Sequence, residues 1–394
     1  MISTILFWLI LVTLLYTYAG YGLVLYLLVK IKGLTSKKNP LIGDIYEPEV
    51  CLFVTAYNEC DYVDQKVQNS LQLEYPADKI QFLWVTDGSD DGTPELLRKW
   101  PQIEVEHIAE RKGKIAAMNR GIAFVKKPIV IFSDANTLLS ANTIRRMVEA
   151  FADPNVGCVA GEKRIIQTTA DSATAAGEGL YWKLESKIKL WDATLNSAIG
   201  GVGELFAIRT ALFEPVEDDT LLDDFVISLR IAGKGYRIAY TPDAYAEERA
   251  SLNVREELKR KIRIAAGGMQ TIFRLPWLLN IFKYRWLSWQ YFSHKVLRWS
   301  LAPLFLFLFL PLNVYMVGTR QLWAAFSPYS LILYGQIVFY LMALSGFLLE
   351  NRRMRNKLFF APYYFLAINY AACRGMYRYF KGSQKVTWEK SKRA

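Results

Sequence analysis

The sequence predicts an α/β domain with a mostly parallel sheet, inserted between transmembrane helices. Two observations predict the domain. Residues 49–56 (EVCLFVTA), 80–86 (IQFLWVT) and 128–133 (PIVIFS) are short apolar runs rich in β-branched and aromatic residues, with helical patterns between them. That alternation reads as βαβ units. Each run also ends in polar turn residues, which stop a strand and leave room for a site at the carboxyl edge of a parallel sheet. A third observation predicts the membrane setting. Residues 2–29 carry no charge and exceed the roughly 20 residues that span a bilayer.

The membrane elements follow in order. The first stretch lacks a charged leader and a small-residue cleavage site, so a retained anchor is expected rather than a signal peptide. Lys30, Lys32, Lys37 and Lys38 come next, and positive-inside bias puts them in the cytoplasm. Residues 299–318 and 329–349 read as two further spans, followed by the basic run ENRRMRNK. All three spans agree on a cytoplasmic domain. Residues 358–373 are short and contain Pro362 and Asn369, so a re-entrant or in-plane element is expected there. Residues 270–295 mix aromatic rings with basic side chains, which suits a membrane interface.

Charge and composition exclude several classes. The net charge is +11, but residues 1–250 are acidic, with 26 basic and 33 acidic side chains. The excess of positive charge lies in 251–298 and 350–394, beside the apolar stretches. Anionic membrane lipids are therefore the expected partner, and nucleic acid is not. Four cysteines form no C-x-x-C pair, and only His107 and His294 are present. A disulfide framework, a zinc knuckle and a Ser-His-Asp triad are all poor fits.

The candidate site comes from the three strand ends. They carry Tyr57-Asn58-Glu59, then Asp87 through Asp91, then Asp134-Ala135-Asn136. Helix capping would explain one such loop; three in register point to a site. No G-x-G-x-x-G follows the first strand and no P-loop occurs, so a diphosphate must be met differently. Asp134 and Asn136 can hold a hard divalent cation through oxygen. Arg111, Lys112 and Lys114 precede a helix and can meet phosphate oxygens. Asp223 and Asp224 read as acids at a helix start.

The segments VTAYNE, VTDGSDDGT, GKIAAMN, SDAN, GGVGELFAIR and LDDFVISLRIAGKGY together resemble, in order and spacing, glycosyltransferase family 2, over about residues 48–270. The layout resembles its membrane-bound branch, with cellulose, hyaluronan and poly-N-acetylglucosamine synthases and ceramide glucosyltransferases. The resemblance implies a GT-A fold, a UDP-sugar donor, an inverting transfer and Mg²⁺ or Mn²⁺. Tyr57, Glu59, Asp87 and Asp90 match the donor-nucleoside loops, Lys114 the lysine of G-K-x-x-A-x-N, and Asp134 the first acid of D-x-D. Asn136 stands where the second, metal-binding acid is usual. Gly201, Gly203 and Glu204 match the loop shaping the sugar and acceptor pocket. Asp223 and Asp224 match the acidic pair, with Asp224 as catalytic base. Arg260 and Arg263 match Q/R-x-x-R-W, in which Ile264 replaces the tryptophan that would stack on an acceptor sugar.

The expected layout is an anchor at 1–30, a catalytic domain at 31–250, interfacial helices at 251–298, two spans at 299–350, and a basic loop, short membrane element and basic tail at 351–394. The expected location is a bacterial inner or plasma membrane, with the catalytic domain cytoplasmic. The expected acceptor is lipid-linked or a growing glycan, and a partner membrane subunit is left open. Two rivals stand beside the transferase reading: a processive polysaccharide synthase, and a silent scaffold motivated by Asn136 and Ile264.

Overall fold

The computed structural model describes residues 1–35, 46–166, 173–249, 254–323, 326–348 and 357–384. Eight strands form one mixed sheet: β1 (Val50–Ala56), β2 (Ile80–Asp87), β3 (Ile103–Ile108), β4 (Ile129–Asp134), β5 (Leu138–Leu139), β6 (Val156–Ile166), β7 (Leu205–Arg209) and β8 (Arg237–Arg249). Their order is β3-β2-β1-β4-β7-β6-β8-β5. The first four in that order are parallel, and β7 runs antiparallel between β4 and β6.

Both faces of this sheet are covered. Cys51 and Phe53 pack into one apolar cluster, and Leu52 and Val54 into another. That is why the strands read as continuous apolar runs rather than alternating ones. The register aligns Thr55 with both Val85 and Asp134, so three strands end level. Because β7 is antiparallel, its first residue, Leu205, pairs with Ser133, and the Gly201–Glu204 loop joins the same edge.

The helices around the sheet are α3 (Cys60–Leu71), α4 (Thr93–Leu97), α5 (Lys114–Gly121), α6 (Thr143–Glu149), α7 (Ala173–Leu195) and α8 (Asp223–Gly233). They follow α1 (Ile2–Leu15) and α2 (Tyr21–Thr35), which a π-turn at Tyr16–Gly20 joins into one continuous rod. After the sheet come α9 (Val254–Arg274), α10 (Ile281–Tyr284), α11 (Trp286–Tyr291), α12 (Leu297–Trp299), α13 (Leu301–Thr319), α14 (Pro328–Leu348) and α15 (Lys357–Phe380). Among the described residues, three helices are long and apolar enough to cross a membrane: Ile2–Leu34, Leu301–Thr319 and Pro328–Leu348. The stretch 358–373 lies inside the 24-residue α15.

Specific contacts tie these helices to the sheet domain. Tyr21 and Leu25 of α2 pack on Ile188 and Leu195 of α7. Lys32 Nζ donates to the Thr194 and Leu195 carbonyls at 2.8 and 2.7 Å, placing a cation at the negative end of α7. α15 packs against α9 and α14. Gly375 makes the first contact close, since a Cβ there would stand 2.5 Å from the Ala265 methyl.

Candidate active site

The level strand ends set out one edge of the candidate site. Asp87 closes β2, and its Oδ2 accepts the backbone N–H groups of Lys112 and Gly113 at 3.0 and 2.5 Å. Its Oδ1 is buried and has no hydrogen-bond partner among the described residues, with Arg120 3.8 Å away. Gly88 follows at φ 69°, where a side chain would be strained and would strike Arg111 at 2.7 Å. The Arg111 guanidinium lies 3.8 Å above the Tyr57 ring. Asn58 donates to Asp90 at 2.8 Å, and the backbone N–H of Glu59 donates to Thr93 Oγ1. Asp91 accepts from Thr93 and from the Cys60 N–H. Burial would raise its pKa, but these bonds hold it down at about 2.

Next to this edge opens a cavity of about 1040 Å³. It gathers Lys114, Asp134, Asn136, Gly201, Gly203, Glu204, Asp223, Asp224, Arg260 and Arg263. Tyr57, Glu59, Asp87 and Asp90 are not in its lining. Lys114 heads α5 and reaches Asp134 at 2.9 Å and Asp223 at 3.2 Å. Three aspartates thus crowd one lysine. Burial, then the Asp223 charge, pushes Asp224 up to about 7. Burial also raises Asp134, against the pull of Lys114. Burial would lower the Lys114 pKa, but Asp134 and Asp223 outweigh it and hold the amine protonated. Gly203 faces Asp224, and a Cβ there would stand 3.7 Å from the carboxylate.

Glu204 is not a free carboxylate. It pairs with the buried Lys163, which also pairs with Glu248, and Arg260 stands 3.8 Å from it. Burial would raise Glu204, but Lys163 and Arg260 dominate and hold it well below the usual range. Arg260 is itself gripped by Glu257 at 3.0 Å. Arg263 donates to the Leu221 carbonyl at 3.4 Å.

Three parts of this site lay beyond sequence reasoning. Lys66 of α3 is fully buried and donates to Ser133 Oγ and the Thr137 carbonyl, both at 2.8 Å, which fixes the turn carrying Asp134 and Asn136. Burial brings its pKa down to about 7. A signal existed, since Lys66 shares a helix face with Val63, Val67 and Ser70. Lys163 and Glu248 gave none, being far apart in sequence. Trp182 and Trp299 line the cavity and restore the aromatic surface that Ile264 lacks.

Residues 51–216 match the family model described as Glycosyl transferase family 2. The chain carries a family 2 glycosyltransferase domain. Its relatives agree. It is 28% identical over 235 residues to poly-beta-1,6-N-acetyl-D-glucosamine synthase of Staphylococcus aureus, covering 57% of this chain and 56% of that protein. It is 28% identical over 237 residues to beta-monoglucosyldiacylglycerol synthase of Synechocystis sp., covering 57% and 48%. The chain thus spans about half the length of the curated relatives it matches. In structure it resembles the mannosyltransferase PcManGT from Pyrobaculum calidifontis, solved with GDP-Man and Mn²⁺. That match has TM-score 0.68 at 22% identity and covers 95% of this chain and 100% of the other. The likeness establishes the GT-A fold of the family 2 domain.

The donor set of the family 2 domain suits a hard divalent cation. Asp134 offers a carboxylate, and Asn136 lines the cavity with no hydrogen bond to a described residue. Asp223 Oδ2 is buried and off hydrogen-bond geometry to Lys114. Oxygen donors in excess of positive charge are what such an ion selects. Among the described residues no group of three His, Cys, Asp or Glu side chains encloses a metal. Two protein oxygens completed by substrate phosphates is a usual arrangement for Mg²⁺.

Proposed function

We propose that the chain is an inverting membrane glycosyltransferase. It moves a sugar from a UDP-sugar to a lipid-linked or glycan acceptor at the cytoplasmic membrane face. One observation carries this reading: the cavity holding Asp224 is lined both by Asp134 at the end of β4 and by Tyr18 of the N-terminal rod and Phe365 of α15. Donor chemistry and membrane meet in one chamber. The proposed layout keeps 1–30 as anchor, 31–250 as catalytic domain, 251–298 as interfacial helices, 299–350 as two spans and 351–394 as the basic membrane-associated tail.

In the proposed reaction Asp224 takes the proton of the acceptor hydroxyl as its oxygen attacks the anomeric carbon. The new C–O bond forms on the face opposite the breaking bond to the diphosphate, so an α-linked donor yields a β-glycoside. Lys114 and Arg263 supply positive charge for the departing diphosphate. Mg²⁺ or Mn²⁺, held by Asp134 and Asn136, would supply Lewis-acid stabilisation of that charge. Tyr57, Glu59, Asp87 and Asp90 would hold the nucleoside. Gly201 and Gly203 would keep the sugar path open beside Asp224, with Glu204 and Arg260 as its wall.

The test is UDP release by detergent-purified protein given a panel of UDP-sugars, Mg²⁺ or Mn²⁺ and native lipid extract. Release with one donor is expected, falling about 10³-fold in Asp224→Asn while UDP still binds. Release that persists in Asp224→Asn, or no release with any donor, would overturn the proposal.

A further inference from the structure

One wall of the cavity contains positive charge beyond that placed at the donor diphosphate. Trp182, Glu185, Lys189 and Asp192 are spaced to share one face of α7. Lys189 is 6% exposed and lines the cavity. Its ammonium lies 5.6 Å from the Trp182 ring and makes no hydrogen bond or ion pair with a described residue. Lys295 and Arg298 line the same wall and share a single carboxylate, Glu185, at 2.5 and 3.1 Å. The Arg298 Nε is buried without a hydrogen-bond partner. His294 is held between Glu185 at 3.1 Å and Asp192 at 2.7 Å, so those acids are already engaged.

Three cations thus line one buried wall: Lys295 and Arg298 share Glu185, and the charge of Lys189 acts on Asp224 without pairing with it. Burying an ammonium without an anion is costly, so the arrangement is completed by a ligand that brings negative charge. The backbone shows a matching irregularity. Tyr18 sits in the π-turn of the N-terminal rod, and His294 and Lys295 sit in a second π-turn, Phe292–Val296. The two turns are bridged by Tyr16 Oη and Ser293 Oγ at 2.7 Å. Such bulges re-aim side chains and often mark functional sites. Here they turn Tyr18, His294 and Lys295 toward the cavity. α15 adds Phe365, Ile368 and Ala372 to the lining, with Asn369 and Arg378 as its polar members.

We propose that the acceptor is an anionic lipid whose phosphate binds between Lys189, Lys295 and Arg298, with its chains leaving along α15. This rests on reading the Asp224 cavity as the acceptor chamber. It narrows the acceptor to a lipid with a phosphate close to its reacting hydroxyl. A neutral diacylglycerol would leave Lys189 uncompensated. The donor diphosphate is the other source of such charge, but in the proposed reaction it is served by Lys114, next to Asp134. Lys189 instead neighbours Lys295 and Arg298, in the segment that leads into α13.

The experiment titrates the detergent-purified full chain with phosphatidylglycerol, and with diacylglycerol of the same acyl chains, and reads bound lipid by native mass spectrometry. Phosphatidylglycerol is expected to bind at least about tenfold more tightly. Lys189→Gln should abolish that preference, Lys189→Arg should keep it, and UDP affinity should be equal in all three proteins. Equal binding of the two lipids by the parent, or a preference surviving in Lys189→Gln, would overturn the proposal. So would a matching loss of UDP affinity, which would assign Lys189 to the donor. Failure of the transferase reading shows separately, as absence of UDP release with every donor.

Discussion

The proposed donor edge and the proposed acceptor chamber are built on different principles. At the donor edge the side chains come from consecutive strand ends. They are held by the loops of adjacent parallel strands, Asp87 by the backbone of 112–113 and Asn58 by Asp90, and within one loop Asp91 is held by Thr93. In the chamber the charges are held by partners far apart in sequence. Lys163 bridges Glu204 and Glu248, and Glu185 of α7 is shared by Lys295 and Arg298. This edge is therefore built by the side-by-side loops of β1, β2 and β3. The chamber exists only once the sheet, α7, α9 and the membrane-facing helices have assembled.

If so, breaking one long-range pair should cost folding stability. Lys163→Met leaves Glu204 and Glu248 buried without their shared cation. The expected loss is about 3–5 kcal/mol, read as a lower thermal midpoint in detergent. Sign matters for the pH dependence. Glu204 is held below its ordinary pKa, so the stability it adds is present above that ordinary value and fades as pH falls toward the folded one. The deficit in Lys163→Met should accordingly be larger at pH 7 than at pH 4. An unchanged midpoint at both pH values would mean that the chamber does not depend on this pair.

Asp224 gives the next largest effect. Its charge environment comprises Asp223 from its own helix, Lys114 from α5, Glu204 from the β7 loop and Lys189 from α7. With its pKa pushed up to about 7, it is a base above that pH and protonated below it. Activity should fall about tenfold per unit as pH drops below 7. The stability contribution runs the other way: it is full below the ordinary carboxylate value and lost as pH rises through 7. Lys189 lowers this pKa, so Lys189→Gln should move the activity limb to higher pH. A limb that stays in place would detach Lys189 from the reacting carboxylate.

Lys66 joins the two regions, since it fixes the 133–137 turn from beneath. Lys66→Met should reduce turnover about tenfold by loosening Asp134 and Asn136. UDP affinity should fall less, because Tyr57 and Asp87 are held elsewhere. Equal losses in turnover and UDP affinity would show that the whole donor edge depends on this lysine.

The same contrast explains what was legible in the sequence. Runs 49–56, 80–86 and 128–133 became strands Val50–Ala56, Ile80–Asp87 and Ile129–Asp134, because burial on both faces makes a central strand uniformly apolar. The spans expected at 299–318 and 329–349 became helices Leu301–Thr319 and Pro328–Leu348. The antiparallel β7 and the return of β8 beside β6 were not legible, since pairing across distant segments leaves no periodic mark. Glu204 lines the cavity, but its partner Lys163 was invisible in the sequence, 41 positions earlier and in no motif. The loss of an aromatic at Ile264 was visible, whereas the tryptophans that line the chamber come from α7 and α12.

The smallest expected effect tests the donor edge directly. Arg111 lies flat on the Tyr57 ring at 3.8 Å, and its guanidinium is exposed. An exposed contact of this kind contributes about 0.5–1 kcal/mol. Tyr57→Ala should therefore weaken UDP binding by about 2–5-fold through this contact, and by more through the proposed hold of the ring on the nucleoside. Thermal stability should not change, because no buried partner is stranded. A loss well beyond fivefold would mean that the ring itself meets the nucleoside, so that the contact to Arg111 is a resting state which the donor displaces. A drop in the thermal midpoint would show instead that even this edge is held from a distance, and the division between locally built and remotely built halves would fail.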